Sequence, residues 1–565
     1  MQQHLILFFY ALIFIHSTIG YGFLFSSLID IRLTRSNLGY LGLIGFFFII
    51  LISSLSSFFF AHGFFHNIIL HFVGLIAYFV LIKKYKKLEE IKLLWILIFV
   101  LWIGIYVYKN HDDFPYYHLT YSLNLSENSF VIGSGNFGHG FRTFSSLFFF
   151  HSILYMPLVK FYLFHFAPFL ILLFYNFIIL KSIFERIKNK EISFIYYFSL
   201  LSFIFINIAF YRLAEHGTDR SAQILLVLIF ILILEILYDT ITKKKLGIKL
   251  NLLIILIFLA SSMKSIYYLY VLIIPIVLFK KNILFNFFSK KNFLLIFIVS
   301  SALSLNIAIN YLSTGCLLYP AKKTCIIEQK WSLPINEVER MSIHYEWWAK
   351  AGGGPGYSSK VEPKVYIKNF NWVKDWIDRH FFNKVLDTLL GLISLSFIFY
   401  FLFKFSSNGN KYKFLKKPKL PFIIIIFFLV EWFFKHPSMR YGGYVLFAIP
   451  IFLFTSLGIQ KFKININKIT KMTMFLIIFS LLVFNLRNIF RIEKEVKLYN
   501  YDLIKKPFFF IKEVEVYPIN PSDDFLIFVT KNREMCWAAK TPCSNRTNLR
   551  SDKFFWMNMV YKNEK

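Results

Sequence analysis

"SAQILLVLIFILILEILYDTITKKK", residues 221–245, is an apolar run closed by a cluster of lysines, and apolar runs broken by short basic clusters recur along the whole chain. A bilayer core about 30 Å thick is crossed by about 20 apolar helical residues. The runs here are unbroken Ile, Leu and Phe, without the roughly ten-residue alternation of a transmembrane barrel strand, so the spans are helices. The chain has 565 residues, 57% of them hydrophobic and 73 of them Phe, which is too apolar for a single water-soluble core.

The expected fold is an α-helical polytopic membrane protein with about fourteen transmembrane helices. They fall near residues 4–28, 39–62, 64–82, 93–108, 161–182, 192–212, 221–241, 249–263, 265–279, 293–312, 386–403, 420–434, 441–459 and 472–487. The first run lacks a basic n-region and a small-residue cleavage site, so it reads as a retained helix. The units that follow are 1–92, amino-terminal spans; 93–312, a core with a first outer loop at 109–160; 313–385, an outer loop domain; 386–487, late spans; and 488–565, an outer carboxy-terminal domain.

The formal charge of +32 is carried by lysines in the breaks between runs, which argues for the positive-inside rule and against nucleic acid as a partner. Arg32/Arg35, Lys83 to Lys87, Arg186 to Lys190, Lys243 to Lys245, Lys280 to Lys291, Lys411 to Lys417 and Lys461 to Lys468 mark alternate connections as cytoplasmic. All four cysteines, Cys316, Cys325, Cys536 and Cys543, then fall in two large segments on the other side. That placement favours disulfides, simplest as Cys316–Cys325 and Cys536–Cys543; a four-cysteine zinc site is the rival, but neither pair has the tight C-x2-4-C spacing.

"KNHDDFPYYHL", residues 109–119, sets Asp112 and Asp113 at a bilayer edge, where carboxylates are costly unless they face water, a metal or a cation. An Asp capping a short helix is the plainer alternative. Further along, "SFVIGSGNFGHGFRTFSSLFFFHSILYMP" carries His139 and Arg142 on a glycine-rich stretch, followed by an apolar piece expected to lie along the outer interface. "RLAEHGTDRSAQ" brings His216 and Asp219, "SSMKSIYY" brings Lys264, and "EWFFKHPSMRYGGY" brings Lys435 and Arg440 to the same side. Cations beside a lipid surface suit a phosphate head group, although snorkelling accounts for any one of them. Residues 313–385 hold Trp331, Trp347, Trp348 and "AGGGPGYSS", a sugar-stacking surface or an interfacial belt with a linker. The tail reads as a small α/β unit, with a helix in "YDLIKKPFFFIKEV" and a strand in "FLIFVTK".

"D-F-P-Y-Y-H" (Asp113 to His118), "G-x-G-N-x-x-H-x-x-R" (Gly133 to Arg142), "GCLLYPAKKTC" followed by "WSLP", the "P-x-x-R-Y" turn ending at Tyr441, and "CWAAKTPC" occur in order. Together they resemble the GT-C superfamily of integral-membrane glycosyltransferases, and more narrowly a bacterial GT-C-like group, from about residue 93 onward. The resemblance implies transfer of a sugar from a polyprenyl-phosphate donor to a lipid, glycan or protein acceptor. The reaction would take place on the non-cytoplasmic face, periplasmic or exterior, of a bacterial inner membrane, in cell-envelope glycan assembly. It implies inversion with Asp113 as base, Asp112 orienting the acceptor, and Arg440 with Lys264 or Arg142 stabilising the leaving phosphate. His118, His139, His216 and Asp219 would complete the substrate site. Asp112, Asp113 and His118 could also share a divalent metal ion, which no spacing demands. A polysaccharide polymerase or ligase would be expected to rest on arginine-rich loops, and a transporter on two-fold repeats with charges at mid-membrane.

Overall fold

The computed structural model describes residues 2–213, 217–239, 242–281, 290–352, 361–405, 418–462, 465–522 and 525–562. The protein is mostly helical, with a small carboxy-terminal sheet region. Among the described residues nine helices are long and apolar enough to cross a membrane. These are α1 (Gln2–Ile29), α2 (Leu38–Ser56), α3 (Phe64–Lys84), and the helices Phe166–Lys188, Thr218–Tyr238, Lys243–Met263, Asn292–Thr314, Val373–Phe405 and Ile466–Tyr499.

The other five expected spans form shorter helical pieces: Leu88–Leu101, Phe194–Ala209, Ser265–Lys280, Lys419–Lys435 and Gly443–Ile459. At 1.5 Å per residue, such lengths reach only about 21–26 Å. Two of them are cut short for a visible local reason. Leu88–Leu101 tightens into a 3-10 turn at Trp102–Ile105, and Ser265–Lys280 begins as a 3-10 turn after Lys264 leaves the preceding helix in extended geometry.

Helices Phe166–Lys188 and Thr218–Tyr238 form the centre of the bundle, while Val373–Phe405 and Ile466–Tyr499 turn most of their apolar surface outward. The first three helices pack unusually close. A Cβ on Gly22 would overlap the Leu41 carbonyl, one on Gly45 the Thr18 carbonyl, and one on Gly20 the Gly74 carbonyl, so small residues set the spacing of α1 against both neighbours. Where the lysine-rich connections emerge, buried ion pairs close that end: Arg186 contacts Glu235 (3.1 Å) and Asp239 (2.6 Å), and Lys249 contacts Glu235 (3.0 Å).

The piece expected along an interface is instead an internal helix, Ser146–Ser152, every residue of it buried. It packs against α2 and the helix Lys243–Met263, and Ser146 Oγ lies 2.7 Å from Ser262 Oγ. A seven-residue helix this apolar is stable as core filling.

The tail departs from the expected α/β unit. Helix Ile466–Tyr499 ends at Asn500 in the left-handed region, and 501–514 forms no helix. Its aromatic run works in extended form as a clamp: Phe508 stacks on Tyr162 (4.4 Å), Phe509 meets Phe114 edge-on (5.0 Å), and the Phe510 N–H donates to the Tyr108 carbonyl (2.8 Å). Beyond it β1 (Val516–Ser522) pairs antiparallel with β2 (Phe525–Thr530), the expected "FLIFVTK" strand, which takes β3 (Cys543–Ser544) in parallel. A separate hairpin joins β4 (Leu549–Phe554) to β5 (Met557–Lys562). Both disulfides are the local pairs, Cys316–Cys325 and Cys536–Cys543.

Candidate functional site

Asp113 precedes a π-helical turn, Phe114–His118, that has Pro115 at its second position and feeds the helix Leu119–Glu127. Its carboxylate makes no capping hydrogen bond to that turn, which removes the plainer reading. Instead it accepts from the Arg440 guanidinium and from Tyr117 Oη (3.3 Å). Arg440 lies in a 3-10 turn, Met439–Tyr441, that the neighbouring segments fix tightly. Trp376 Nε1 donates to the Pro437 carbonyl (2.6 Å), Trp432 Nε1 to that of Ser438 (2.9 Å), and Gln223 to that of Arg440 itself (3.0 Å).

Arg440 also binds Asp219, in the first turn of helix Thr218–Tyr238, and Asp219 pairs with Lys264 Nζ at 2.5 Å. Four charged side chains from positions 113, 219, 264 and 440 thus form one chain, with Asp219 nearly enclosed and Asp113 and Arg440 each about a quarter exposed. Burial raises the Asp113 carboxyl, but Arg440 and the nearby histidines outweigh it and hold Asp113 below the ordinary carboxylate range. The Arg440 guanidinium is raised by Asp219, Tyr117 and Asp113 despite its burial, so it is a permanent cation.

Asp113, Lys264 and Arg440 border a cavity of about 760 Å³, a volume suited to a small organic ligand. Asp113, His139, Arg142, Lys264, Lys435 and Arg440 all line it. His139 donates to or accepts from Tyr345 Oη (3.0 Å) and stacks on Tyr116; burial and the adjacent Arg142 lower it to about 4, so it is neutral near pH 7. Arg142 contributes a wall with its guanidinium committed elsewhere, to the Gly135 carbonyl (2.9 Å) and to Glu337 (2.8 Å).

Three expected members sit differently. Asp112 is almost fully exposed, 3.9 Å from Lys109, and does not join the cluster. His118 is buried beneath it, against Phe148 and Gly217, and burial lowers it to about 3. His216 lies outside the described residues. The proposed ligand set of Asp112, Asp113 and His118 therefore does not converge, and among the described residues no three His, Cys, Asp or Glu side chains are grouped to hold a metal. Arg440 occupies the place beside Asp113 that a cation would take.

On the helix Ile335–Lys350 sequence reasoning picked out Trp347 and Trp348, of which Trp348 lines the cavity, but passed over Arg340, Met341, His344, Tyr345 and Glu346, which line it too. Glu337 on the same helix is a hub, accepting from Arg142, Arg546 (3.0 Å) and Lys562. Although burial pushes it up, those three cations hold Glu337 far below its ordinary range. The signal was the amphipathic period of "INEVERMSIHYEWWAK", with Glu337, Arg340, His344 and Trp348 at three- and four-residue steps.

A family model described as a domain of unknown function, DUF8201, matches residues 4–447. The chain belongs to the DUF8201 family. No curated protein and no solved structure matches it. The region matched to DUF8201 takes in the first three spans and all four members of the charged chain, while the five strands and the Cys536–Cys543 loop lie beyond it.

Proposed function

We propose that this protein is a GT-C-type glycosyltransferase that takes a sugar from a polyprenyl-phosphate donor and passes it to a hydroxyl of a lipid, glycan or protein acceptor. The reading is supported by one observation above the rest. A carboxylate, Asp113, faces a cavity at the end of a membrane helix bundle while paired to a cation, Arg440, that a second carboxylate holds in place. In this reading all fourteen apolar runs are membrane-embedded in a bacterial plasma membrane and the cavity opens on its non-cytoplasmic side, an orientation that the distribution of the lysines supports.

The acceptor hydroxyl would lie against Asp113. Its proton passes to the carboxylate as its oxygen bonds to the anomeric carbon, and the bond from that carbon to the phosphate oxygen breaks with inversion. The leaving phosphate takes the electron pair and gains charge, which Arg440 and Lys264 stabilise. Asp219 touches neither reactant; it positions both cations. With Arg440 drawn towards phosphate, Asp113 loses its strongest partner and becomes a better base as the donor binds.

The test is sugar transfer in proteoliposomes from a radiolabelled polyprenyl-phosphate hexose. Asp113→Asn should lower transfer by at least about 100-fold, the scale of a lost general base, with membrane insertion and cavity aromatic contacts retained. Full activity in that variant would sink the assignment.

A further inference from the structure

The tip of the β4–β5 hairpin has a composition that turn geometry does not explain. Phe555 and Trp556 are its two turn residues, and Phe555 has φ +56°, a conformation that normally selects Asn or Gly. A bulky aromatic there is strained, and it gains no burial in return: Phe555 is 78% and Trp556 60% exposed, beside a half-exposed Phe554.

The tip lies against the connection between α2 and α3. Trp556 Nε1 donates to the Phe58 carbonyl (2.9 Å), and its ring stacks on Phe59 at 5.5 Å and 13°. Phe59, Phe60 and Phe65 are themselves well exposed. Only residues 57–63 join α2 to α3, and both helices are long and apolar enough to cross a membrane. The connection must therefore sit at a membrane surface, and the hairpin tip shares its level. Lys553 flanks the tip as an exposed cation.

We propose that Phe554, Phe555 and Trp556 insert into the lipid interface of the same membrane, as a second anchor for the carboxy-terminal domain. Tryptophan and phenylalanine favour the headgroup level, where the indole N–H keeps a polar partner and the rings leave water. The anchor lies outside the region matched by the family model. It also has a mechanical reach. The far end of the hairpin carries Val560, whose N–H donates to Ile132 (2.8 Å), and Lys562, which pairs with Glu337. A lipid contact at one end of the hairpin thus steadies the cavity wall at the other.

The inference is independent of any catalytic reading and is tested on the full chain in nanodiscs of phosphatidylcholine with phosphatidylglycerol. The four native cysteines are paired, so a spin label on Phe555→Cys, or on Phe554→Cys should the first fold poorly, reacts at one site. A label on Arg550→Cys, about 16 Å away along the hairpin, is the aqueous reference. The expected result is an oxygen-to-nickel-reagent collision ratio several-fold higher at the tip than at Arg550→Cys. Equal, water-like ratios would overturn the proposal. So would a tip shielded from both reagents, which would mean that a second chain or another protein covers it.

Discussion

Arg440 joins two carboxylates that differ in what they can do. Asp219 is enclosed and fixed, whereas Asp113 is open to the cavity and can exchange partners. This difference predicts a pH signature. Asp113 is held below the ordinary carboxylate range in the free protein, so it stays ionised, and its pairing stays intact, as pH falls through the range where an unfolded Asp would protonate. The stabilisation is full above that range and is lost only at lower pH. Once a donor phosphate shares Arg440, Asp113 should protonate more readily. The acid limb of kcat should therefore lie at higher pH than that of kcat/KM, by about one unit or more. Replacing Arg440 by Gln should merge the two limbs and raise both, because burial then acts on a carboxyl that has lost its main counter-charge. Coincident limbs in the native protein would show that Arg440 never leaves Asp113.

At the scale of elements, glycine and one glutamate decide how segments meet. Gly45 lets α2 approach the backbone of α1, so Gly45→Leu should cost at least about 2 kcal/mol through forced separation. A lowered melting transition in detergent would register it, while Ala at the exposed Gly391, which has open space around it, should change little. Glu337 ties the glycine-rich stretch, the helix Ile335–Lys350 and the sheet region through three cations. Its depressed carboxyl means the tie is present above about pH 4.5 and is lost as pH falls towards its folded value. The protection of β5 amides, with the intrinsic pH dependence of exchange divided out, should accordingly fall below pH 4 in the native chain, and should be low and less dependent on pH in Glu337→Gln. Gly133 has φ +73° and sits against the Val560 carbonyl, so Gly133→Ala should loosen the same contact at every pH.

For the whole molecule, reporter fusions near Lys86 and Ser544 should fall on opposite sides of the membrane, and a common side would break the threading. Apolar helices, the disulfide pairs and the gathering of Asp113 and Arg440 at one end of the bundle were legible because each rests on a local pattern, namely run length, cysteine spacing, or polar residues at span ends; the ion pair between the two was not. Only the resemblance preferred Asp113 to Asp112, because adjacent side chains diverge only once the π-turn fixes their directions. His118 read as a ligand because sequence carries no burial. The tail helix was misread since Phe508 to Phe510 suit an apolar helix face as well as an extended clamp, and partners more than 300 residues away choose between them. Glu337 was missed for a similar reason: its three cations come from distant parts of the chain.

The chain of two carboxylates and two cations has one more consequence. Those four ionised groups sum to zero, so attraction of an anion towards the cavity falls to the other cations on its wall, Lys435 and Arg340 among them. A soluble anion must break an ion pair and bring no hydrophobic compensation. A lipid-borne phosphate arrives already confined to the membrane, at high local concentration, and can drive the exchange. On the proposed reading, these closed ion pairs favour an anchored anion over a dissolved one.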